Sequence, residues 1–460
     1  MQELSTWRRN MDNVMAGLAI TLFTLNFLGL NYLLYTIGIL LMLTAFRELQ
    51  TVSRGFFICY LLSIVRAALH FCSLVLNATI YGESSLPVVI NYISAALTTL
   101  LLVFLRSTIR QVQHSVNIES HTGSVSCLIL FSLLFFTNVH LNGFLVLIVL
   151  LAAIIIVVRC LFGLVREVDE AGFTAEAAPV RISNGTLVKS FVVVLLAGIA
   201  CGYLFANRYP MDWQPVSSTE HTEVQEIKAH LLELGFPDYV LDDLTAEDIL
   251  ACEGAQKVVV QYYAEYGKDA PAIAQKDDLH EFLSTGVSVH LPGNRQHWRI
   301  FHHFLWQIDP GFPGTEALQI WPACRSDMGW DLADPYTGRV LYNNGEAVFA
   351  APYHSLGRDT YMHDSIFWGV SQQTDTFATF SMPRKGEHHR GYITYGVQEM
   401  RDGAIVDGWF NYIHQEARLQ YPVQTAKQYR MNGGMFSRGP FRIIQDALQF
   451  YPAAETSSLQ

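Results

Sequence analysis

The chain has 460 residues, of which 51% are hydrophobic and 15% charged, and its formal net charge is −11, a length that allows two or three domains. Residues 1–206 hold 11 Lys and Arg against 9 Asp and Glu, whereas residues 207–460 hold 19 against 32, so the acidic excess lies in the second part. That excess disfavours nucleic acid and anionic lipid as partners of the second part, because a polyanion repels an acidic domain.

Residues 1–206 are a succession of apolar runs, and a helix needs about 20 residues to cross the roughly 30 Å hydrocarbon core of a bilayer. Two runs, at 14–46 and 125–158, contain more than 30 residues without a charge. Polar and flexible residues lie near the middle of each, so each run is predicted to form a hairpin of two short helices. Three further runs have the length of single spans: 55–80, 87–104 and 187–206.

The distribution of Lys and Arg decides the number and direction of these helices, because short cytoplasmic loops collect basic residues. With seven helices, ten of the eleven basic residues fall on the cytoplasmic side. With five helices, Arg47, Arg54, Arg106 and Arg110 would fall on the opposite side. We therefore predict a seven-helix transmembrane region over 1–206, with a cytoplasmic amino terminus and residues 207–460 outside the cytoplasm. The first and fifth helices are short and need a thinner bilayer or a re-entrant path. The basic clusters are Arg8/Arg9, Arg47/Arg54, Arg106/Arg110 and Arg159/Arg166/Arg181/Lys189.

The remaining basic residue, Arg66, lies inside the third predicted span, with His70 one helical turn later on the same face. An ionisable group at membrane depth is costly and usually faces the interior of the helix bundle. One interpretation is a pathway for an ion, a proton or a substrate. The other is a structural contact to backbone carbonyls, or a side chain that extends to the membrane boundary. The spans contain no Asp or Glu as a countercharge, which favours the structural interpretation.

The first long run resembles part of a known group of proteins. Residues 25–47, followed by Glu48-Leu49-Gln50, resemble the membrane region of uncharacterised multi-pass membrane proteins of Gram-positive bacteria, in which a hairpin with an acidic, Pro-containing tip precedes a Gly-containing helix. The tip here is Leu30-Asn31-Tyr32, without the Asp and Pro of that pattern. The resemblance covers about 40 residues and implies residence in a membrane, not an activity.

Residues 207–255 are predicted to form a helical collar next to the membrane. Apolar residues recur at helical spacing over 224–234, and Gly235 is predicted to end this helix. Thr245 is a typical cap for a second helix that ends near Gly254.

Residues 256–460 show the pattern of a β-rich domain. Runs of β-branched and aromatic residues predict strands at 258–263, 287–291 and 298–306. We therefore predict an α-helical multi-pass transmembrane bundle followed by an extracytoplasmic α+β domain with a mainly antiparallel β-sheet or sandwich. Two hairpins are predicted, at 340–349 around Asn343-Asn344-Gly345 and at 392–413 around Arg401-Asp402-Gly403, and a closing amphipathic helix at 441–450.

Catalytic and metal-binding motifs are absent from the sequence. It contains no Gly-x-Ser-x-Gly, no phosphate-binding Gly-x-x-x-x-Gly-Lys, no His-Glu-x-x-His and no Cys-x-x-Cys, so no cofactor or metal is expected. The carboxylates Asp327, Asp331 and Asp334 match no standard calcium loop. Cys252 and Cys324 are candidates for a disulfide between the collar and the sheet, with two free buried thiols as the alternative.

Candidate ligand-binding residues come from the histidines and aromatic residues of the β-rich domain. In a strand at 298–306, His297, Arg299 and His303 share one face and, with Asp364 or Glu387 nearby, would bind a metal or an anion. The alternative is a row of solvent-facing histidines. Exposed Trp and Tyr on a sheet bind sugars or peptides by stacking, whereas inward-facing rings fill the core. The other candidates are His388, His389, Trp298 and Trp306, and the aromatic excess also includes Trp321, Trp330, Trp368 and Trp409.

These observations favour a sensory or regulatory membrane protein rather than an enzyme. Its external domain would recognise an envelope glycan, peptide or protein, and a signalling partner docked on the membrane region would carry the signal, because the cytoplasmic side offers short loops and tails. One alternative is a transporter component with an external receptor domain. Another is an envelope hydrolase, which would need several histidines and carboxylates to converge in a cleft.

Overall fold

The structure is a computed structural model that describes residues 5–22, 30–134, 144–216, 222–266, 280–321, 329–365, 369–418, 423–432 and 440–452. The chain divides into two compact units, with the main boundary between Asn207 and Arg208. The first unit is helical, and the second contains the β-sheets together with four short helices.

The described part of the first unit contains seven α-helices and one short 3-10 helix, Ile80–Glu83. Four segments are long and apolar enough to cross a membrane on the basis of length and composition: Tyr32–Leu49, Arg54–Asn77, Leu86–Ser115 and Asn184–Ala206. The seven helices are α1 (Thr6–Leu22), α2 (Leu30–Leu49), α3 (Arg54–Asn77), α4 (Leu86–Ser115), α5 (Gly123–Leu134), α6 (Phe144–Glu170) and α7 (Asn184–Ala206).

Helices α1 and α2 pack with their backbones in direct contact. A Cβ atom added at Gly17 would lie 2.7 Å from the Gly38 carbonyl oxygen, and one added at Gly38 would lie 2.8 Å from the Gly17 carbonyl oxygen. Small residues permit this close approach between helices. At the other end of the pair, Glu48 accepts hydrogen bonds from Arg9 and Asn10 at 2.9 Å each, so the two helices run antiparallel.

The second unit contains two β-sheets whose hydrogen-bonded strand pairs are antiparallel wherever the register is described, which confirms the prediction of an antiparallel domain. Sheet A has seven strands in the order β1-β7-β6-β10-β4-β3-β2, and sheet B has five in the order β12-β11-β5-β9-β8. The strands are β1 (Gln214–Pro215), β2 (Lys257–Tyr266), β3 (His280–Leu291), β4 (His297–Trp306), β5 (Glu316–Trp321), β6 (Trp330–Asn344), β7 (Ala347–Pro352), β8 (Ser355–Ser365), β9 (Gly369–Phe380), β10 (Glu387–Glu399), β11 (Val406–Gln415) and β12 (Phe441–Phe450).

The facing sides of the two sheets enclose an aromatic-rich core. Because successive side chains of a strand point to opposite faces, Ile300 and Phe304 of β4 enter this core, where they meet Phe410 and Tyr412 of β11. At one edge the sheets are joined by a hydrogen bond of 2.8 Å from Ser284 Oγ to Asp446 Oδ2.

The opposite face of sheet A is covered by the short helices α8 (Thr222–Glu233), α9 (Asp238–Leu241) and α10 (Ala246–Leu250), which we call the collar layer. Two predicted local signals are confirmed: Thr245 caps α10 by accepting a hydrogen bond from the Asp248 backbone, and Gly235 has a φ of +90° just after α8. The collar layer buries apolar side chains against Val287 and Phe301 of sheet A. The remaining short helix of this unit is α11 (Ala426–Met431).

The prediction for the first hairpin is confirmed and the second is wrong. Strands β6 and β7 pair around Gly345, which has a φ of +62°. In contrast, β10 pairs with β4 and β6 in sheet A, whereas β11 pairs with β5 and β12 in sheet B. The turn at 401–403 therefore carries the chain from one sheet to the other instead of closing a hairpin.

The predicted closing helix at 441–450 is also wrong, because Phe441–Phe450 is strand β12. Residues four apart share a face in a helix and also in a strand, so Ile444 and Leu448 satisfy both periods. In the structure these two side chains, with Phe450, enter the sandwich core.

Candidate functional site

Two of the candidate ligand-binding residues, Arg299 and His303, lie on the face of sheet A that the collar layer covers. Both are buried, with exposures of 5% and 0%. Their partners are carboxylates supplied by the collar layer, Asp248 and Asp243, which are buried as well. The structure thus brings Arg299 and His303 to one face, as the alternation predicts, but that face is an internal contact of the domain.

Asp243 binds two side chains of sheet A at once. His303 Nε2 lies 2.8 Å from Asp243 Oδ2, and Arg390 Nε donates to both carboxylate oxygens, at 2.7 and 2.9 Å. Arg339 adds hydrogen bonds to the backbone carbonyls of Asp243 and Leu244. Charge-assisted bonds of this kind are among the strongest in proteins, so this carboxylate fastens the collar layer to the sheet.

Asp248 makes a second cluster of the same kind. Its Oδ1 accepts hydrogen bonds from Arg299 at 2.9 Å and from Thr337 at 2.6 Å, and its Oδ2 accepts from Tyr392 at 2.5 Å and from Thr245 at 2.8 Å. With two donors on each oxygen, the carboxylate is fully satisfied by side chains of the domain itself. Its geometry is that of a structural contact.

The Asp243 cluster gives the domain a predictable response to acid. Burial raises the pKa of Asp243, but the hydrogen bonds and charges of His303 and Arg390 together lower it further, so the pKa lies below its usual value of 3.8. A carboxyl with a depressed folded pKa contributes stability above its unfolded pKa, and that stability is lost as pH falls through the folded pKa. We expect the thermal midpoint to fall less between pH 5 and pH 3 in Asp243→Asn than in the wild type. An Asp242→Asn control should retain the wild-type slope, and equal slopes in all three proteins would contradict this assignment.

The other candidate residues do not converge on an open site. His297 Nε2 lies 3.4 Å from Asp334 Oδ2, and His388 is exposed with a φ of +52°. His389 is buried against the Phe312 ring, and Trp298 and Trp306 are in the sandwich core with exposures of 2% and 1%. Glu387 is exposed, and the side chain of Asp364 lies outside the described residues. Among the described residues, no group of three His, Cys, Asp or Glu side chains is arranged to hold a metal ion.

Cys252, one half of the candidate disulfide, is a buried free thiol. Its Sγ donates a hydrogen bond to the Asp248 carbonyl oxygen at 3.5 Å. Burial raises its pKa to about 12, so it stays protonated and unreactive. Cys324 lies outside the described residues, and the disulfide stays a prediction.

The intramembrane candidates Arg66 and His70 contact helix α2. Arg66 is 1% exposed, and its guanidinium lies 3.7 Å from Met42 Sδ and donates to the Tyr35 hydroxyl at 3.4 Å. His70 Nε2 lies 2.8 Å from Thr36 Oγ1. No described carboxylate is within ion-pair distance of Arg66. These contacts join α3 to α2, and a transport pathway through them stays a prediction.

Two tryptophans have a different placement from Trp298 and Trp306. Trp321 of β5 and Trp409 of β11 are directly opposite each other on the outer face of sheet B, with ring centroids 6.0 Å apart, and both are half-buried. On the other side of Trp409, the paired residue of β12 is Ala447, whose side chain is a single methyl group.

Polar side chains continue this face beyond the tryptophans. Asp407 and Gln449 are opposite each other in the ladder of β11 and β12, and Gln449 Nε2 donates to Asp407 Oδ1 at 2.6 Å in an exposed contact. Because side chains two residues apart share a face, they lie on the same side of sheet B as Trp409 and Ala447. We call Trp321, Trp409, Asp407, Ala447 and Gln449 the Trp321–Trp409 face.

A buried polar cluster lies beside these rings on the same face of sheet B and contacts Trp321. The Arg430 guanidinium is 5.7 Å from the centroid of Trp321, and its Nε donates to Gln319 Oε1, which also accepts from Asn411 at 3.1 Å. Gln319 Nε2 in turn donates to Asp375 Oδ2 at 2.7 Å. A fixed aromatic surface loses little conformational entropy on binding, which favours recognition.

A buried pair of a histidine and a glutamate was missed by the sequence reasoning. His414 Nδ1 lies 2.9 Å from Glu316 Oε2, and both residues are in the core between the sheets. The centroids of the His414 and Trp306 rings are 5.2 Å apart. Their separation of 98 residues leaves no local signal in the sequence. Because aromatic rings surround the pair, we interpret it as a structural contact of the core.

No family model and no curated protein matches the chain. Among solved structures, one titled "Pore forming protein" aligns with 42% of this chain and 90% of its own at 7% identity and a TM-score of 0.19. Another, titled "AvmM Catalyzes Macrocyclization in Alchivemycin A Biosynthesis", aligns with 42% of this chain and 88% of its own at 14% identity and a TM-score of 0.16. At these TM-scores neither structure informs the fold or the function of this chain.

Proposed function

We propose that this chain is a multi-pass membrane protein whose β-sandwich domain lies outside the cytoplasm and recognises an envelope glycan in a sensory or regulatory role. The four long apolar helices and the one-sided distribution of basic residues support the membrane position and the orientation. The signal passes to the interior through a partner docked on the membrane region.

The observation that carries the proposed recognition is the Trp321–Trp409 face. The apolar C–H face of a sugar ring stacks on an indole, and Asp407 and Gln449 supply exposed hydrogen-bonding groups for hydroxyls at the edge of the same surface. The small side chain of Ala447, opposite Trp409 in β12, favours the approach of a ring to the indole.

The test is a titration of the full-length protein in detergent with soluble cell-wall glycan fragments. Binding is measured by tryptophan fluorescence and by calorimetry. Truncating an aromatic residue at the centre of a binding surface costs about 2 kcal/mol or more, which is roughly 30-fold in affinity. We therefore expect Trp409→Ala to weaken binding at least tenfold and Trp409→Phe to retain most of it.

Trp213 provides a matched control, because it is a half-buried tryptophan of the same domain that packs edge-on against Tyr342, in sheet A. Trp213→Phe should leave the affinity unchanged. Wild-type affinity in Trp409→Ala, or a folded wild-type protein that binds no glycan fragment, would overturn the proposed recognition.

A further inference from the structure

A polar pocket lies between helices α4, α5 and α6 of the first unit, with a volume of about 550 Å³. This volume is within the range of roughly 300–1,000 Å³ that is typical of small-molecule sites. Its wall includes Arg106 and Arg110 of α4, hydroxyl-bearing residues at the start of α5, and Glu167 of α6. We call it the Arg106–Arg110 pocket.

The wall of this pocket contains buried donors that lack partners. Among the described residues, Arg106 Nε and Ser120 Oγ are buried and make no hydrogen bond. Arg110 Nε donates to Thr122 Oγ1 at 3.0 Å, which fixes one side of its guanidinium at the pocket. A buried donor without a partner costs free energy, so a small side-chain rotation that turns these atoms toward an acceptor in the pocket would be favourable.

The charges at the pocket favour an anion. Arg106, Arg110 and the neighbouring His121 line it, against the single carboxylate of Glu167. Helix α5 begins at Gly123 in the same wall, and its first backbone N–H groups add donors to those of the side chains. Paired arginines with adjacent hydroxyls are the donor set that recognises phosphate.

The position of the pocket along the helices matches the headgroup level of a bilayer. Helix α4 has 30 residues, about 45 Å at 1.5 Å per residue, whereas the hydrocarbon core is about 30 Å thick. About 20 residues from Leu86 reach Leu105, so Arg106 would be at the boundary. On the hydrocarbon side, Leu130 of α5 and Ile156 of α6 are 62% and 61% exposed, a surface suited to acyl chains.

We propose that the Arg106–Arg110 pocket binds a phosphate group, with the headgroup of an anionic phospholipid as its source. This rests on the membrane position proposed above and does not depend on the glycan-binding face. The two arginines neutralise the phosphate, Ser120 donates to one of its oxygens, and the acyl chains lie along α5 and α6.

The experiment uses the full-length protein in mild detergent, titrated with phosphatidylglycerol, with phosphatidylcholine and with inorganic phosphate. Bound lipid is read by native mass spectrometry and by the shift in thermal midpoint. Each basic residue near a membrane surface contributes about 1 kcal/mol, roughly fivefold in affinity. Arg106→Gln with Arg110→Gln should therefore weaken phosphatidylglycerol binding about 25-fold, and Arg106→Lys should retain most of it.

Two further variants separate binding from folding. Glu167→Gln removes the opposing charge and should tighten binding several-fold, a gain that a damaged fold would not produce. Arg54→Gln removes an exposed arginine of α3 that does not line the pocket and should bind as the wild type.

Saturation by inorganic phosphate with the same dependence on the variants, without binding of phosphatidylglycerol, would support a phosphate site filled from solution. Equal binding of phosphatidylglycerol and phosphatidylcholine, or undiminished binding by the folded double variant, would overturn the proposal.

Discussion

Replacing Asp243 with alanine is expected to destabilise the β-sandwich domain by about 3 kcal/mol. Removing one partner from a buried ion pair typically costs about 3–5 kcal/mol, because the remaining charge is left buried without compensation. Here the variant leaves both His303 and Arg390 without their carboxylate. We expect the lower end of that range, because Arg390 retains hydrogen bonds to Asn343 and to the His388 backbone.

The adjacent residue provides the control. The side chain of Asp242 is 78% exposed and its nearest described cation, Lys228, is 3.8 Å away. Surface pairs of this kind contribute about 0–1 kcal/mol, so Asp242→Ala should change the stability by less than about 0.5 kcal/mol. The comparison is made on the full-length protein in detergent, by thermal unfolding in the near-ultraviolet circular dichroism. Equal losses in the two variants would show that Asp243 does not anchor the collar layer.

The elements that the sequence predicts well are those with local signals. The strands around Val258 and Trp298 and the hairpin at Gly345 are specified by alternation and by turn residues within a few positions. The helix cap at Thr245 is likewise local, because its partner, the Asp248 backbone, is three residues later. Nothing in these patterns depends on distant parts of the chain, so they can be recognised without a structure.

The environment of the candidate site residues depends on long-range packing. Both faces of β4 are covered, one by sheet B and the other by the collar layer, so Trp298 and His303 are buried on opposite sides of the same strand. Alternation separates the two faces but does not show that each has a covering layer. The partner of His303 is 60 residues away in the sequence. The functional interpretation therefore moves from β4 to the outer face of sheet B, where Trp321 and Trp409 are half-buried.

The second prediction concerns the buried pair Glu316 and His414. Glu316→Ala should destabilise the domain by about 3–5 kcal/mol, because His414 is 1% exposed and, apart from the 2.9 and 3.1 Å contacts to Glu316, is surrounded by aromatic rings. The Trp306 and Phe312 centroids lie 5.2 and 5.6 Å from its ring, so no solvent replaces the lost carboxylate.

Replacing both members with leucine should cost less than removing one of them. A well-packed apolar pair avoids the desolvation of two polar groups, and exchanges of this kind are often neutral or stabilising by about 1–4 kcal/mol. Burial and the nearby charge of Arg384 lower the pKa of Arg208, which the charge of Glu316 only partly offsets. In the double variant Arg208 should still donate to the carbonyl oxygens of Phe312 and Met382. We therefore expect Glu316→Leu with His414→Leu to be at least about 2 kcal/mol more stable than Glu316→Ala. Additive losses from the two positions would instead show that the histidine and the carboxylate contribute independently, since coupled residues depart from additivity.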